Sequence, residues 1–219
     1  MSERTKLRLL DYFVLGVPAY RLRFRGPASR AATEKFFHLI RQVMSLAEDS
    51  TAPFEGAIEC DETMFGGKRP GKRGWGAAGK VIVLGILQRN GVVRVFPITG
   101  RSRKIIEGLV TEHTKPGSLY YTDDWHAYAS LSVRGDHVVV RKERGRPKGR
   151  DHLNGIEGFW SYAKHWLYMY RRSTAKVFPL LLRRTFVPFQ SPKRRPLPFD
   201  IEAVTANSFE RHQPLASTV

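Results

Sequence analysis

The spacing of apolar residues changes several times along the chain and predicts where helices and strands lie. The first fifty residues hold two groups of apolar residues at helical spacing, separated by Gly16-Val17-Pro18. The first group is Leu7, Leu10, Phe13 and Val14, and the second is Phe36, Leu39, Ile40 and Val43. We therefore expect residues 1–50 to form a small helical segment with two short helices.

From residue 56 onward, apolar and polar residues alternate with the period of two that is typical of a strand. The first such run, residues 56–62, alternates apolar with acidic side chains and continues as Met64-Phe65, and Gly66-Gly67 marks where the strand ends. Two further runs, residues 80–88 and 92–98, are joined through Asn90-Gly91, a strong hairpin signal. These runs predict three consecutive antiparallel strands.

The chain then continues with alternating helices and strands. We expect a helix, a strand, a short helix and a strand at residues 103–114, 118–122, 125–131 and 137–140. This order predicts an α/β domain over residues 51–189, with a mixed five-stranded sheet flanked by helices. Asp61 and Asp123 are predicted at the exits of the first and fourth strands, where active-site groups gather in α/β sheets.

The last helical stretch, residues 151–170, has two distinct faces. Its apolar stripe consists of Ile156, Phe159, Trp160, Ala163 and Leu167. Its polar face carries Asn154, Glu157, Ser161, Lys164 and Tyr168, spaced by three or four residues. Taken alone, such a pattern is typical of an ordinary amphipathic helix with a solvated face. Glu157 becomes a candidate site residue only together with the two strand-end acids.

The net charge points to a polyanionic partner. The chain has 37 Lys and Arg against 20 Asp and Glu, a formal charge of +17, which favours nucleic acid over membrane. The single cysteine, Cys60, excludes an internal disulfide framework and a Cys-rich zinc site. Because no apolar run is long enough for a membrane span, we expect a cytoplasmic, nucleoid-associated protein without a membrane partner.

Basic side chains cluster in three stretches that are candidate DNA contacts. Two are loops containing Lys68, Arg69, Lys72 and Arg73, and then Arg144, Arg146 and Lys148. The glycines of the first loop do not have the spacing of a phosphate-binding P-loop. The third stretch lies between the two N-terminal helices and contains Arg21, Arg23, Arg25 and Arg30. These helices are either a plain hairpin or part of a helix-turn-helix that docks on DNA.

Three local motifs in a fixed order add a family resemblance. They are IECDET at residues 58–63, TDDWHAY at 122–128 and HLNGIEGFWS at 152–161, with Lys164 after the last. This combination resembles the DDE transposases of bacterial insertion sequences, in the group that often carries an N-terminal zinc ribbon. The resemblance implies an RNase H-like catalytic domain whose metal-binding triad falls on Asp61, Asp123 and Glu157. Asp124 is a rival for the second position, and Asn154 for the third.

The resemblance also implies a mechanism and its partners. Two Mg²⁺ ions, which Mn²⁺ can replace, are held by three carboxylates and stabilise the entering and leaving oxygens of a phosphodiester exchange. Water releases a 3′-hydroxyl at the element end, and this hydroxyl attacks target DNA. Lys164 is expected to bind a phosphate of the element end, with Asn154 beside it. Because two DNA ends are paired, at least a dimer is expected on DNA.

The sequence departs from the family pattern at both ends. With one cysteine no zinc ribbon can form, and residues 171–195 contain eight basic residues and no acid. We expect residues 190–219 to be a disordered or aberrant tail. The alternative to an active transposase is therefore a catalytically impaired remnant that only binds DNA. A structure-selective nuclease with the same fold is a weaker alternative.

Overall fold

The computed structural model describes residues 1–49, 52–66, 80–89, 92–141 and 151–168. The chain divides into two units, whose described parts lie within Met1–Asp49 and within Ser50–Gln190. No helix in these ranges is both long and apolar enough to cross a bilayer. The predicted basic loops and the predicted C-terminal tail lie outside the described residues.

The N-terminal unit contains the two predicted helices. They are α1, Glu3–Val14, and α2, Arg30–Asp49, with a short 3-10 helix at Ala19–Leu22 between them. Ser2 begins α1, because its hydroxyl accepts a hydrogen bond from the Thr5 N–H at 3.3 Å. The unit is held by buried apolar side chains: Leu9, Leu10, Phe13, Leu22, Phe37, Ile40 and Met44.

The predicted apolar stripes of these helices were partly wrong. Leu7 is 47% exposed and Val14 is 44% exposed, while α2 buries a line that includes the polar residues Thr33 and Arg41. Thr33 belongs to this line because its hydroxyl donates to the Ser29 carbonyl at 2.9 Å. Arg41 belongs to it because its guanidinium lies over the rings of Phe13 and Phe37, at 5.4 and 6.0 Å. An analysis of apolar residues alone does not find such positions.

The second unit contains the predicted mixed sheet. Its strands are β1, Ala57–Phe65; β2, Val81–Gln88; β3, Val92–Ile98; β4, Leu119–Thr122; and β5, His137–Val139. The spatial order is β3-β2-β1-β4-β5. β1, β2 and β3 are antiparallel neighbours, whereas β4 pairs in parallel with β1 and with β5. This is the RNase H-like arrangement, so the predicted fold class is confirmed.

Helices cover both faces of the sheet. They are α3, Arg103–His113; a 3-10 helix, His126–Val133; and α4, Asn154–Leu167. One apolar core contains the buried side chains of α4, and the other contains those of α3 and the 3-10 helix. The predicted faces of α4 are confirmed: its apolar stripe is buried and its polar face is exposed. Gly85 of β2 permits close packing, because a Cβ atom there would lie 2.6 Å from the Trp160 ring.

The place of Asp61 within its strand differs from the prediction in a way that matters for the site. Asp61 is inside β1 and not at its end, since β1 continues to Phe65 alongside β2. The pairing of β1 with β4, however, ends at Glu59 and Tyr121. Asp61 therefore lies just beyond the paired part of β4, beside the point where β4 ends. An alternating pattern in the sequence predicts a strand. It does not predict at which residue the pairing with each neighbouring strand ends.

Candidate active site

Asp61 is a largely buried carboxylate between the sheet and α4. Its Oδ2 accepts a hydrogen bond from the Trp160 indole Nε1–H at 3.0 Å. Burial raises the pKa of Asp61 to about 7, with a further increase from the neighbouring acids Glu62 and Asp123. The bond from Trp160 opposes this increase without cancelling it. Near neutral pH the side chain is therefore an acid whose charge is poorly compensated by the protein itself.

Asp123 follows β4 directly and lies beside Asp61 in the register of the parallel strands. The paired residues of β1 and β4 end with Glu59 opposite Tyr121, and the same offset aligns Asp61 with Asp123. The Asp123 carboxylate accepts a hydrogen bond from the Trp125 N–H at 3.2 Å, which closes a local turn. The Thr122 hydroxyl donates to the Asp123 carbonyl at 2.8 Å. The two predicted strand acids are thus neighbours that repel each other.

Asp124 has a different environment from Asp123. Its carboxylate is 67% exposed and lies 3.5 Å from the guanidinium Nε of Arg141, which is itself 71% exposed. Such an open ion pair contributes little to stability. Asp124 therefore faces solvent, whereas Asp123 acts electrostatically on the buried carboxylate of Asp61.

The predicted residues of α4 lie on its exposed face. Glu157 is one turn before Trp160 and Lys164 is one turn after it, and both are exposed. Asn154 is the first residue of the helix, and its N–H donates to His152 Nδ1 at 3.3 Å. Through Trp160 the helix is bonded directly to Asp61, so Glu157 belongs to the turn that precedes this contact. Within the described ranges, no group of three or more His, Cys, Asp and Glu side chains forms a metal-binding cluster.

Glu62 is a buried acid that the sequence analysis did not select. Its side chain is 1% exposed and lies 3.5 Å from Arg101, whose guanidinium covers the Trp125 ring at 4.2 Å. Burial raises the pKa of Glu62, and the charge of Arg101 opposes this effect. The signal was present as the adjacent acids of the first strand, but Arg101 is 39 residues away in sequence. Only the fold shows that this acid is neutralised.

Glu59 is a second buried acid that was missed, on the same strand face as Asp61. Its Oε1 lies 2.9 Å from Arg89 Nε, and its Oε2 accepts from the Ile156 N–H at 2.9 Å. The three acids of β1 thus differ in the partner that compensates their charge. Glu59 and Glu62 each have an arginine, while the bond to Asp61 comes from the neutral indole of Trp160.

The Asp61–Asp123 pair fits a divalent cation. Both donors are hard carboxylate oxygens, the kind that Mg²⁺ prefers, and a cation would offset the burial and repulsion that raise the pKa of Asp61. The predicted DNA contacts Lys68, Arg69, Lys72, Arg73, Arg144, Arg146 and Lys148 lie outside the described residues. The described part of the site therefore consists of this pair, its two neighbouring ion pairs and the exposed face of α4.

Comparison with known proteins gives three similarities. The model of the ISXO2-like transposase domain matches residues 53–183. An uncharacterized transposase-like protein of Haemophilus influenzae is 29% identical over 76 residues, which are 34% of this chain and 62% of that protein. The chain thus spans less than two thirds of that relative. The catalytic core domain of BIV integrase superimposes with a TM-score of 0.41 at 13% identity, over 66% of this chain and 88% of that one.

Proposed function

The chain belongs to the ISXO2-like transposase domain family, and we propose that it cuts and joins DNA at a metal site formed by Asp61, Asp123 and Glu157. The observation that carries this proposal is the Asp61–Asp123 pair. Two neighbouring carboxylates that have no cationic partner among the described residues are costly in a fold. The cost is understandable if the pair binds something positive in the working protein.

Each residue has a proposed role that follows from its place. Asp61 is bonded to Trp160 of α4 and is acted on by the charge of Asp123, so Asp61, Asp123 and Glu157 of the same helix would together hold the metal ions. When bound, Mg²⁺ or Mn²⁺ would activate the attacking oxygen and stabilise the leaving oxygen. Trp160 holds Asp61 through its indole N–H, which fixes the carboxylate in one orientation. Asp123 is preferred to Asp124 because Asp124 is paired with Arg141 in solvent.

The DNA would be held by positive charge around this site. Lys164 lies two turns after Glu157 on the exposed face of α4, where an ammonium group is suited to bind a phosphate of the element end. Asn154 begins the same helix and is proposed to orient that strand. The basic loops at residues 68–73 and 144–148 would add contacts to the backbone of the DNA. Joining two ends would require at least two copies of the chain.

The test uses duplexes made from the DNA that flanks the gene, labelled at each strand. With Mg²⁺ or Mn²⁺, the wild-type chain should release 3′-hydroxyl ends and form joined products. Asp61→Asn and Asp123→Asn should abolish both products, while Asp124→Asn, next to the site but in solvent, should keep them. Equal loss in Asp123→Asn and Asp124→Asn would contradict the assignment of Asp123.

A second function is supported by one observation. The described residues contain no group of three acids, histidines or cysteines close enough to hold a metal, which is what an impaired, DNA-binding remnant would show. That protein would bind element ends in a salt-dependent manner and leave them uncut. Binding that is equal in wild type and Asp61→Asn, with no product from either, would favour the remnant.

A further inference from the structure

The N-terminus of α4 is capped by a side chain from a distant strand. The residue before the helix, Leu153, makes no side-chain cap, although the first N–H groups of any helix need acceptors. The Ile156 N–H donates instead to Glu59 Oε2 at 2.9 Å, across 97 residues of sequence. The Glu59 side chain is 1% exposed. A carboxylate at this end of a helix also interacts favourably with the helix dipole.

Arg89 neutralises this buried carboxylate and extends the connection. Its Nε lies 2.9 Å from Glu59 Oε1, and its second terminal nitrogen donates to the His152 carbonyl at 2.6 Å. The guanidinium also lies 3.5 Å from the centre of the Tyr121 ring. The Glu59–Arg89 pair therefore joins β1, the end of β2, β4 and the segment that leads into α4.

The contact leaves little room for the helix to shift. A Cβ atom at Gly155 would lie 3.0 Å from Glu59 Oε2 and 3.2 Å from Oε1. A larger residue at this place would press on the carboxylate, so that Glu59 or the helix would have to move by a few tenths of an ångström. Gly155 has a negative φ, so its backbone conformation does not require a glycine. The lack of room for a side chain explains the glycine instead.

Two acids of one strand face thus bind the same helix one turn apart. Glu59 and Asp61 are two residues apart, about 7 Å along a strand. Their partners Ile156 and Trp160 are four residues apart, about 6 Å along a helix. The two bonds join the strand to the helix at two different levels, so together they fix the position of α4 along β1. Glu157 lies between the two bonded residues.

From these two bonds we infer that Glu59 is a positioning residue for the proposed metal site. Together with Arg89 it sets the axial register of α4, and thereby the place of Glu157 relative to Asp61 and Asp123. This inference rests on the proposed function, but the structural part of it can be tested without DNA or metal.

The experiment compares two double variants that both remove the buried charges. Glu59→Gln with Arg89→Met keeps an amide oxygen that can accept from the Ile156 N–H. Glu59→Leu with Arg89→Met removes the acceptor. The indole N–H resonance of Trp160, identified by its absence in Trp160→Phe, reports the position of α4 against Asp61. Glu55→Gln, which changes an exposed ion pair with Lys115, is the matched surface control.

We expect the Trp160 resonance to move in the Leu variant and to stay near its wild-type position in the Gln variant and in the control. With labelled ends and Mn²⁺, the turnover of the Leu variant should be about tenfold or more below that of the Gln variant, with similar DNA affinity. Identical resonances and turnover in the two double variants would overturn the inference. If the wild type itself cuts no DNA, the proposed function fails, but the resonances still decide the role of Glu59.

A second variant covers the case in which the Leu variant does not fold. Gly155→Ala keeps both charges and adds one methyl group against the Glu59 carboxylate. It should displace the Trp160 resonance in the same direction, whereas Gly158→Ala, where an added Cβ atom meets nothing within 4 Å, should not. An unmoved resonance in Gly155→Ala would likewise contradict the inference.

Discussion

Glu59 and Asp61 lie two residues apart on one face of β1, yet the regions around them are built in opposite ways. Glu59 is enclosed, with Arg89 at 2.9 Å and the Ile156 N–H at 2.9 Å. Asp61 has a bond from the neutral Trp160 indole, and burial, followed by Glu62 and Asp123, raises its pKa. The same strand therefore carries one acid whose charge is satisfied and one whose charge is not.

This difference separates the needs of the fold from those of function. A satisfied buried acid holds elements together, and removing it leaves its partner uncompensated. An unsatisfied acid costs stability and is retained where it binds a cation or reacts. The two regions should therefore respond in opposite ways to the removal of a carboxylate.

The largest expected effect is the loss of DNA cleavage in Asp61→Asn. The amide keeps the shape of the side chain but loses the charge that would hold a divalent ion, so cleavage should fall by about a thousandfold or more. Single-turnover assays with labelled ends and Mn²⁺ measure this. A Glu59 variant that lost as much cleavage activity while its Trp160 resonance stayed in place would contradict the proposed difference between Glu59 and Asp61.

The next effect concerns stability at the enclosed region. Glu59→Leu leaves the guanidinium of Arg89 buried without its carboxylate, which should lower the free energy of unfolding by about 3 kcal/mol. Adding Arg89→Met should recover a large part of this loss, because the uncompensated charge is then gone. Urea titrations followed by circular dichroism measure both. No recovery in the double variant would mean that the lost acceptor for the Ile156 N–H, rather than the unpaired charge of Arg89, causes the loss of stability.

The sequence predicted the fold well because its patterns are local. The five strands and the two faces of α4 follow from residues close together in the chain. The order of the three motifs, through the family resemblance, then selected Asp61 and Asp123. The sequence did not reveal how each acid of β1 is compensated, because the partners lie far away in the chain. These partners are Arg89 for Glu59, Arg101 for Glu62, and Trp160 for Asp61. Whether an acid is neutralised is a property of the packed structure.

The third effect is a gain in stability for Asp61→Asn at neutral and alkaline pH. The pKa of Asp61 is raised from its ordinary value of 3.8 to about 7 in the fold, so the folded chain binds a proton more tightly than the unfolded one. This contribution is present below the ordinary pKa and is lost as the pH rises to about 7. At pH of about 8, without divalent ions, the Asn variant should be more stable than wild type by about 2 kcal/mol.

The difference between the two proteins reports on Asp61 and its interactions with Glu62 and Asp123, because every other titrating side chain is common to both. Urea titrations at several pH values should give curves that diverge between about pH 4 and 7. Asp124→Asn, at the solvent-exposed neighbour, should follow the wild type throughout. Parallel curves for Asp61→Asn and wild type would show that the carboxylate of Asp61 is already compensated.

The smallest effect concerns Trp160, which belongs to both regions because it bonds Asp61 and lies one turn after the helix end held by Glu59. Trp160→Phe removes the donor at 3.0 Å from Asp61 Oδ2. The lost hydrogen bond contributes about 1 kcal/mol to stability. Since that bond lowers the pKa of Asp61, the pKa should rise further, as ¹³C-carboxyl NMR can measure. Phe159→Leu also removes buried ring contacts from α4 but no bond to Asp61, so it should leave that pKa in place. If both variants raised the pKa of Asp61 equally, the cause would be a general loosening of α4 rather than the loss of the indole hydrogen bond.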